Sequence, residues 1–183
     1  MIVKETKLEG CYILEPRVFD DKRGYFLETY NQKIFNQLTG NNINFVQDNE
    51  SYSSKGVLRG LHFQKGEYAQ AKLVRVIKGC VLDVAVDLRK GSTTFGQHVA
   101  IELSGENKKQ FFVPRGFAHG FVVLSETALF SYKCDNFYNK ESESGILYND
   151  ETLNIDWRIS SGDIIITDKD QKLLTLKKFI DEY

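Results

Sequence analysis

Short runs of apolar residues separated by polar turns recur along the whole chain of 183 residues. The 14 glycines are scattered between these runs and only 2 prolines occur, a pattern typical of many short strands joined by turns. Ten strands are predicted, at 10–14, 25–30, 44–51, 57–63, 71–78, 81–89, 98–103, 110–113, 118–124 and 128–135. So many short strands predict an all-β closed barrel or a double-sheet sandwich such as a jelly roll, with residues 1–183 as a single domain.

Two segments predict short helices beside this barrel. Residues 31–38 carry apolar side chains at helical spacing, and Gly40 is placed to end the helix. Near the C terminus, Asp168 is placed to cap a second helix that contains the apolar residues of 173–180.

Alternation within two strands predicts which side chains face the barrel interior. In residues 81–89, four aliphatic side chains share one face, while Asp83 and Asp87 lie on the other. This pattern predicts a half-buried antiparallel strand. In residues 117–123, His119 lies in phase with the phenylalanines and is therefore predicted to point inward.

Several ionisable residues share the phase of apolar neighbours. Arg59 and His62 would face opposite ways under strict alternation, but Gly60 lies between them, and glycine within a strand often marks a bulge. One extra residue there would place both side chains on the same face. Lys72 and Tyr132 lie in phase with the apolar residues of their own strands. Buried charges are costly unless they are paired or hydrated, so a ligand cavity accounts for these residues together.

Further polar residues follow the same periodicity. Gln47 and Asn49 lie in phase with Phe45, and Glu28 lies in phase with its apolar neighbours. Taken singly, an inward polar residue is more often a satisfied core residue than a catalyst. Their joint occurrence favours a cavity.

The overall charge restricts the kinds of partner. The chain has 24 Lys and Arg residues and 25 Asp and Glu residues, which gives a net charge of −1. This charge lacks the basic excess that is typical of nucleic-acid-binding proteins. No apolar run approaches the length of a membrane span, and the N terminus has no apolar segment typical of a signal peptide. The 3 widely spaced cysteines indicate reduced thiols, which predicts a cytoplasmic protein.

The segment 114–119 resembles the second motif of the cupin superfamily, PxGxxH. Metal-binding cupins combine it with a first motif, HxHxxxxE. Here that motif would begin at His62, and Gln64 stands at the place of its second histidine. His98 belongs to another predicted strand. Two imidazoles without a supporting carboxylate make a poor transition-metal site, so we expect neither a metal nor another cofactor.

The motifs together resemble the RmlC family, the dTDP-4-dehydrorhamnose 3,5-epimerases. The matching segments are 23–28, 45–49, 56–64, 70–75, 83–89, 114–121, 132–133 and 149–157. The resemblance implies a cupin jelly roll that forms a homodimer and holds a nucleotide sugar in the barrel. The chain departs from the family pattern at Glu50, where histidine is frequent, and at Arg158, where proline is frequent.

The resemblance also implies roles for individual residues. His62 would be the general base, Asp170 the carboxylate that holds it, Tyr132 the general acid, and Lys72 the cation beside the C4 keto oxygen. The implied substrate-binding residues are Arg23, Glu28, Gln47, Asn49, Arg59, His119, Tyr138, Glu143 and Lys169.

These residue types suit the epimerisation of a 4-keto sugar. A C4 ketone acidifies the hydrogens on C3 and C5, a histidine titrates near neutral pH, and a cation stabilises the developing enolate. The predicted activity is conversion of dTDP-4-dehydro-6-deoxyglucose to dTDP-4-dehydro-L-rhamnose. Three alternatives stay open: an epimerase acting at one carbon or on another nucleotide sugar, a non-catalytic sugar-binding cupin, and a metal-dependent cupin oxygenase.

Overall fold

The computed structural model describes residues 1–182. Within them, the strands are β1 (Ile2–Glu5), β2 (Tyr12–Glu15), β3 (Val18–Asp21), β4 (Gly24–Leu27), β5 (Gln47–Ser54), β6 (Leu58–Gln64), β7 (Lys72–Lys78), β8 (Cys80–Asp87), β9 (His98–Ser104), β10 (Gln110–Val113), β11 (Phe117–Val123), β12 (Thr127–Cys134) and β13 (Glu143–Gly145). The α-helices are α1 (Gln32–Thr39) and α2 (Leu176–Glu182).

Two antiparallel sheets form the body of the fold. One has 6 strands in the order β1-β2-β10-β7-β12-β5, and the other has 5 in the order β13-β6-β11-β8-β9. Side chains from both sheets meet in one buried cluster that includes Val74, Phe111, Phe130, Ala85 and Phe121. The predicted double-sheet, jelly-roll barrel is confirmed.

The prediction that β8 is half-buried is wrong, because every residue after Cys80 is buried on both faces. Asp83 and Asp87 face the inner side together with Ala85. The opposite, aliphatic face is covered by the C-terminal segment, which contributes Trp157 and Phe179 to a second buried cluster. Both polar groups on this strand are therefore fully buried.

The first helix is confirmed and the second is shorter than predicted. In α1, the Asn31 side chain accepts a hydrogen bond from the amide of Ile34, and Gly40 ends the helix with φ of 67°. In α2, Asp168 is not the cap. The Thr175 hydroxyl accepts a hydrogen bond from the Lys178 amide at 3.2 Å instead. Residues 173–174 precede this helix.

Two predictions of which side chains share a strand face are wrong, and both concern residues at strand ends. Phe45 precedes β5 and packs against Tyr30 and Phe35 in an aromatic cluster outside the barrel. The strand predicted at 25–30 ends at Leu27, so Glu28 lies beyond it. Strands β1, β3 and β13 have only 3 or 4 residues each and were not predicted.

No helix formed by residues 1–182 has the length and apolar character needed to cross a membrane. Cys11, Cys80 and Cys134 are free thiols.

Candidate active site

A bulge in β6 brings Arg59 and His62 to the same face. His62 pairs with His119 and Arg59 with Phe121, so β6 advances 3 residues while β11 advances 2. A Cβ added at Gly60 would lie 2.6 Å from the Cα of Gly120, and Gly60 has φ of 135°. Glycine is needed where two backbones approach this closely. The predicted change of phase is confirmed.

These residues line a cleft between the edges of the two sheets. One lobe of about 410 Å³ is lined by Asn49, Glu50, Ser51, Arg59, His62, Lys72, His119, Phe121, Phe130, Tyr132, Thr167 and Asp170. An adjoining lobe of about 250 Å³ is lined by Gln47, Asn49, His62, Phe63, Gln64, Gln70, Lys72, Tyr132, Cys134, Tyr138 and Glu143. Four residues line both lobes: Asn49, His62, Lys72 and Tyr132. The candidate base, acid and cation therefore lie where the two lobes meet, in a cleft of ligand-binding size.

His62 is held by a buried carboxylate. Its Nε2 lies 2.8 Å from Oδ1 of Asp170, whose side chain is 6% exposed. Burial raises the pKa of Asp170, but the hydrogen bond to His62 and the charge of that ring outweigh burial and lower it. An ionised carboxylate only accepts hydrogen bonds, so Nε2 carries the proton. Nδ1 of His62 is then the basic nitrogen of the neutral ring.

Tyr132 and Lys72 lie on the opposite sheet, on the neighbouring strands β12 and β7. The Lys72 ammonium is 5.9 Å from the centre of the Tyr132 ring. Burial raises the pKa of Tyr132, so its phenol is protonated at neutral pH. Burial lowers the pKa of Lys72, and the negative charges of Asp83 and Glu143 oppose that shift. A protonated phenol and the Lys72 side-chain nitrogen thus face the imidazole across the cleft.

The rim of the smaller lobe is joined by hydrogen bonds. The Tyr138 hydroxyl donates to Oε2 of Glu143 at 2.9 Å, and Lys169 Nζ forms an ion pair with the same oxygen at 2.6 Å. Oε1 of Gln47 accepts from the Tyr138 amide at 3.1 Å. These hydrogen bonds and the ion pair therefore hold the side chains of the rim in place, while the Tyr138 side chain remains exposed.

Strand β5 supplies a row of polar side chains to the cleft. The Gln47 amide donates to Oδ1 of Asn49 at 3.1 Å. Arg59 donates from Nε and Nη2 to the Ser53 hydroxyl, each at 3.2 Å. Glu50, which departs from the family pattern, alternates with Asn49 and is exposed. Glu50 nevertheless lies at the edge of the larger lobe, where it is one of the lining residues.

Two predicted binding residues lie away from this cleft. Arg23 is in the turn between β3 and β4, where its side chain is 83% exposed and forms an ion pair with Asp21 at 2.5 Å. Glu28 is exposed and accepts a hydrogen bond from the Asn31 side chain at 3.2 Å. The cleft of a single chain does not bring them together with His62.

Two polar residues of the cleft were missed by the sequence analysis. Asp83 is fully buried, and its two carboxylate oxygens lie 2.9 and 3.0 Å from Nε2 of His119. Ser51 lines the larger lobe, and its hydroxyl is buried without a hydrogen-bond partner among residues 1–182. The sequence contained a signal for each. Asp83 is a carboxylate within an otherwise apolar strand, and Ser51 alternates in phase with Asn49.

At the place of the second cupin histidine, Gln64 is buried, and its Oε1 accepts a hydrogen bond from the Asn139 amide at 3.0 Å. Residues 1–182 contain no group of three or more His, Cys, Asp or Glu side chains arranged to hold a metal ion. Gln64 thus has a structural role in this fold.

The double-sheet barrel and its polar cleft are those of a cupin-type isomerase. The family model for dTDP-4-dehydrorhamnose 3,5-epimerase matches residues 5–178. The chain therefore belongs to the dTDP-4-dehydrorhamnose 3,5-epimerase family.

Individual relatives agree with this assignment. The dTDP-4-dehydrorhamnose 3,5-epimerase of Escherichia coli (strain K12) is 54% identical over 180 residues, covering 98% of this chain and 97% of the relative. The crystal structure of the enzyme of that name from Elizabethkingia anophelis NUHP1 has a TM-score of 0.94 at 63% identity, covering 97% of each chain. A third relative is the dTDP-6-deoxy-D-glucose-3,5-epimerase RmlC of Legionella pneumophila Philadelphia 1, whose crystal structure is in complex with dTDP-4-keto-L-rhamnose. Its TM-score is 0.94 at 48% identity, and the match covers 99% of this chain and 95% of that one.

Proposed function

We propose that this chain inverts C3 and C5 of dTDP-4-dehydro-6-deoxyglucose in the cleft between its two sheets, giving dTDP-4-dehydro-L-rhamnose. The observation that supports this most strongly is the His62–Asp170 pair facing Tyr132 and Lys72 across the cleft. Inversion needs a base on one side of the sugar ring and an acid on the other. Two facing sheets can supply both.

Each inversion has two steps. Nδ1 of His62 removes the proton next to the ketone, and the electron pair moves to the C4 oxygen as an enolate. The Lys72 ammonium stabilises that charge, and Asp170 stabilises the imidazolium. The enolate then takes a proton from the Tyr132 hydroxyl on the opposite face. Proton exchange with solvent returns the phenol and the neutral imidazole, and the second carbon follows.

The nucleotide end of the substrate is assigned to the remaining binding residues. Arg59 can bind diphosphate oxygens because its guanidinium is a planar donor of several hydrogen bonds. The exposed ring of Tyr138 can stack on a base at the rim, next to Glu143 and Lys169. Asn49 and His119 line the same lobe as Arg59 and are assigned to the part of the substrate between the base and the reacting carbons.

The proposal is tested by incubating the purified protein with dTDP-4-dehydro-6-deoxyglucose and determining the product by proton NMR. We expect inverted configurations at both C3 and C5. Inversion at only one carbon would show that the protein is a single epimerase. Binding of the substrate without turnover would show that it is a sugar-binding module.

We also propose a homodimer, because the β3–β4 hairpin exposes large apolar side chains. Phe26 is 69% exposed on this hairpin, which also carries Phe19 and Tyr25. Arg23 and Glu28 lie on or next to it, away from the cleft of their own chain, and a partner subunit would bring them to a second cleft. Exposed apolar patches of this kind mark interaction sites.

Replacing Phe26 by Asp is expected to convert the dimer to a monomer, because the charge would have to be buried in the interface. Light scattering coupled to size exclusion measures the mass. Ile180→Asp is the matched control, since Ile180 is an exposed apolar residue on α2, and it should stay dimeric. A monomeric wild-type protein, or a dimeric Phe26→Asp variant, would contradict the proposal.

Turnover is expected to survive exhaustive chelation, because the proposed base, acid and cation are all side chains. Activity is measured before and after treatment with a chelator at saturating substrate. Loss of activity that a divalent transition metal restores would overturn the mechanism and favour the oxygenase-type metal site.

Replacing Ser51 by Ala is expected to weaken binding of the nucleotide sugar by roughly 2- to 10-fold, the range for one neutral hydrogen bond. Thermal stability should not fall, because the hydroxyl has no hydrogen-bond partner among residues 1–182. Calorimetric titration measures affinity, and Ser131→Ala, on the outer side of β12, is the control. Unchanged affinity in Ser51→Ala would remove the hydroxyl from the binding surface.

We infer a cytoplasmic location. The free thiols of Cys11, Cys80 and Cys134 support it, because reduced cysteines are typical of that compartment.

A further inference from the structure

Asp83 is a buried acid for which the mechanism above has no role. It lies on the inner face of β8, fully shielded from solvent, with Phe121 of β11 directly opposite it. Both of its carboxylate oxygens are within hydrogen-bond distance of Nε2 of His119, at 2.9 and 3.0 Å. The imidazole is itself 7% exposed and lines the cleft. An isolated buried carboxylate is costly, so this one calls for an explanation.

We propose that Asp83 is a positioning residue of the epimerase site, which fixes the His119 ring with Nδ1 toward the substrate. The inference rests on the proposed function, because His119 matters for turnover only if it contacts the sugar nucleotide.

The hydrogen-bond geometry determines the tautomer. Burial raises the pKa of Asp83, and the charge and hydrogen bond of His119 and the charge of Lys72 oppose that shift. An ionised carboxylate only accepts hydrogen bonds, so with Asp83 ionised the ring nitrogen between its two oxygens carries the proton. A neutral His119 then has its lone pair on Nδ1, where it can accept a hydrogen bond from a sugar hydroxyl. On the adjacent strand β6, His62 is held in the same way by Asp170, and the two histidines are paired across the β6–β11 ladder. The cleft therefore contains two imidazoles, each oriented by its own carboxylate.

The charge of Asp83 also acts on Lys72. No carboxylate of residues 1–182 forms an ion pair with Lys72 within 4.0 Å, and burial lowers its pKa while the charge of Asp83 opposes that shift. The titratable groups that line the two lobes with Lys72 are Glu50 on β5, Arg59 and His62 on β6, His119 on β11, Tyr132 and Cys134 on β12, Tyr138, Glu143 on β13, and Asp170. Burial raises the pKa of the Cys134 thiol to about 11 and raises that of Tyr132, so neither adds negative charge near pH 8. The charges of Asp83 and Glu143 favour the protonated form of Lys72.

The first test needs no substrate. The chain has 3 histidines, so the ring nitrogens can be assigned by ¹⁵N NMR with single substitutions. We expect His119 of the wild-type protein in the Nε2–H form. In Asp83→Asn the amide can donate to Nε2, so the Nδ1–H form should become dominant. A wild-type His119 with its proton on Nδ1 would overturn the proposal, even if the variant failed to fold.

The second test is the pH profile of turnover. In Asp83→Asn, kcat/KM should fall roughly 10- to 100-fold, and its alkaline limb should move about one pH unit lower, because Lys72 loses its proton more easily. The control is Glu102→Gln, which removes an exposed carboxylate of the neighbouring strand β9 and should leave the limb in place. If the alkaline limb of the kcat/KM profile stays in place in a folded Asp83→Asn variant, the charge of Asp83 does not act on Lys72. A wild-type protein without epimerase activity but with the expected His119 tautomer would refute the proposed function instead.

Discussion

Replacing His62 by Ala is expected to abolish proton exchange at both C3 and C5 while leaving the fold intact. The His62 ring has a carboxylate on Nε2 and lies where the two lobes of the cleft meet, and loss of a positioned base typically costs about 10²- to 10⁴-fold in rate. The rate is measured by NMR with the substrate in deuterated water.

His98→Ala is the matched control for this variant. His98 lies on strand β9, which pairs only with β8 at the edge of the five-stranded sheet, and it lines neither lobe of the cleft. Its loss should leave activity within a few-fold of the wild type. A folded His62→Ala variant with comparable activity would remove His62 from the role of base.

Replacing Tyr132 by Phe is expected to separate deprotonation from inversion. The ring and its packing are kept, His62 can still remove a proton, and Lys72 can still stabilise the enolate. Reprotonation from the opposite face becomes slow, so the enolate takes a deuteron back on the side it left. In deuterated water, the label should therefore enter the starting sugar faster than inverted product accumulates.

The control for this variant is Tyr52→Phe, which removes a hydroxyl from an exposed tyrosine on the outer side of β5. It should behave as the wild type. A Tyr132→Phe variant that still forms the doubly inverted sugar at a near wild-type rate would assign the proton to water or another residue, and Tyr132 would then be a core aromatic.

Much of the cleft could be predicted because strand periodicity fixes the direction of each side chain. Lys72 and Tyr132 share the faces of Val74 and Phe130, and these apolar neighbours are buried between the sheets. Strict alternation fails in β6, where a bulge brings Arg59 to the face of His62. This bulge could be predicted because Gly60 lies between the two residues.

Contacts that depend on distant chain segments could not be predicted in this way. Asp83 meets His119 only because β8 and β11 are neighbours in a particular register, which the pattern of either strand alone does not contain. The second face of β8 is buried by Trp157 and Phe179, which belong to a segment without strand periodicity. Glu28 was misplaced because its strand ends earlier than the apolar pattern suggests.

The most direct test of the account is incubation of the wild-type protein with dTDP-4-dehydro-6-deoxyglucose in deuterated water, followed by NMR of the product. Removal of a carbon-bound proton and replacement from the opposite face predicts deuterium at both C3 and C5 of the inverted sugar. An inverted product that keeps its original hydrogen at either carbon would contradict the mechanism, because inversion there would not have passed through an enolate that exchanges with solvent.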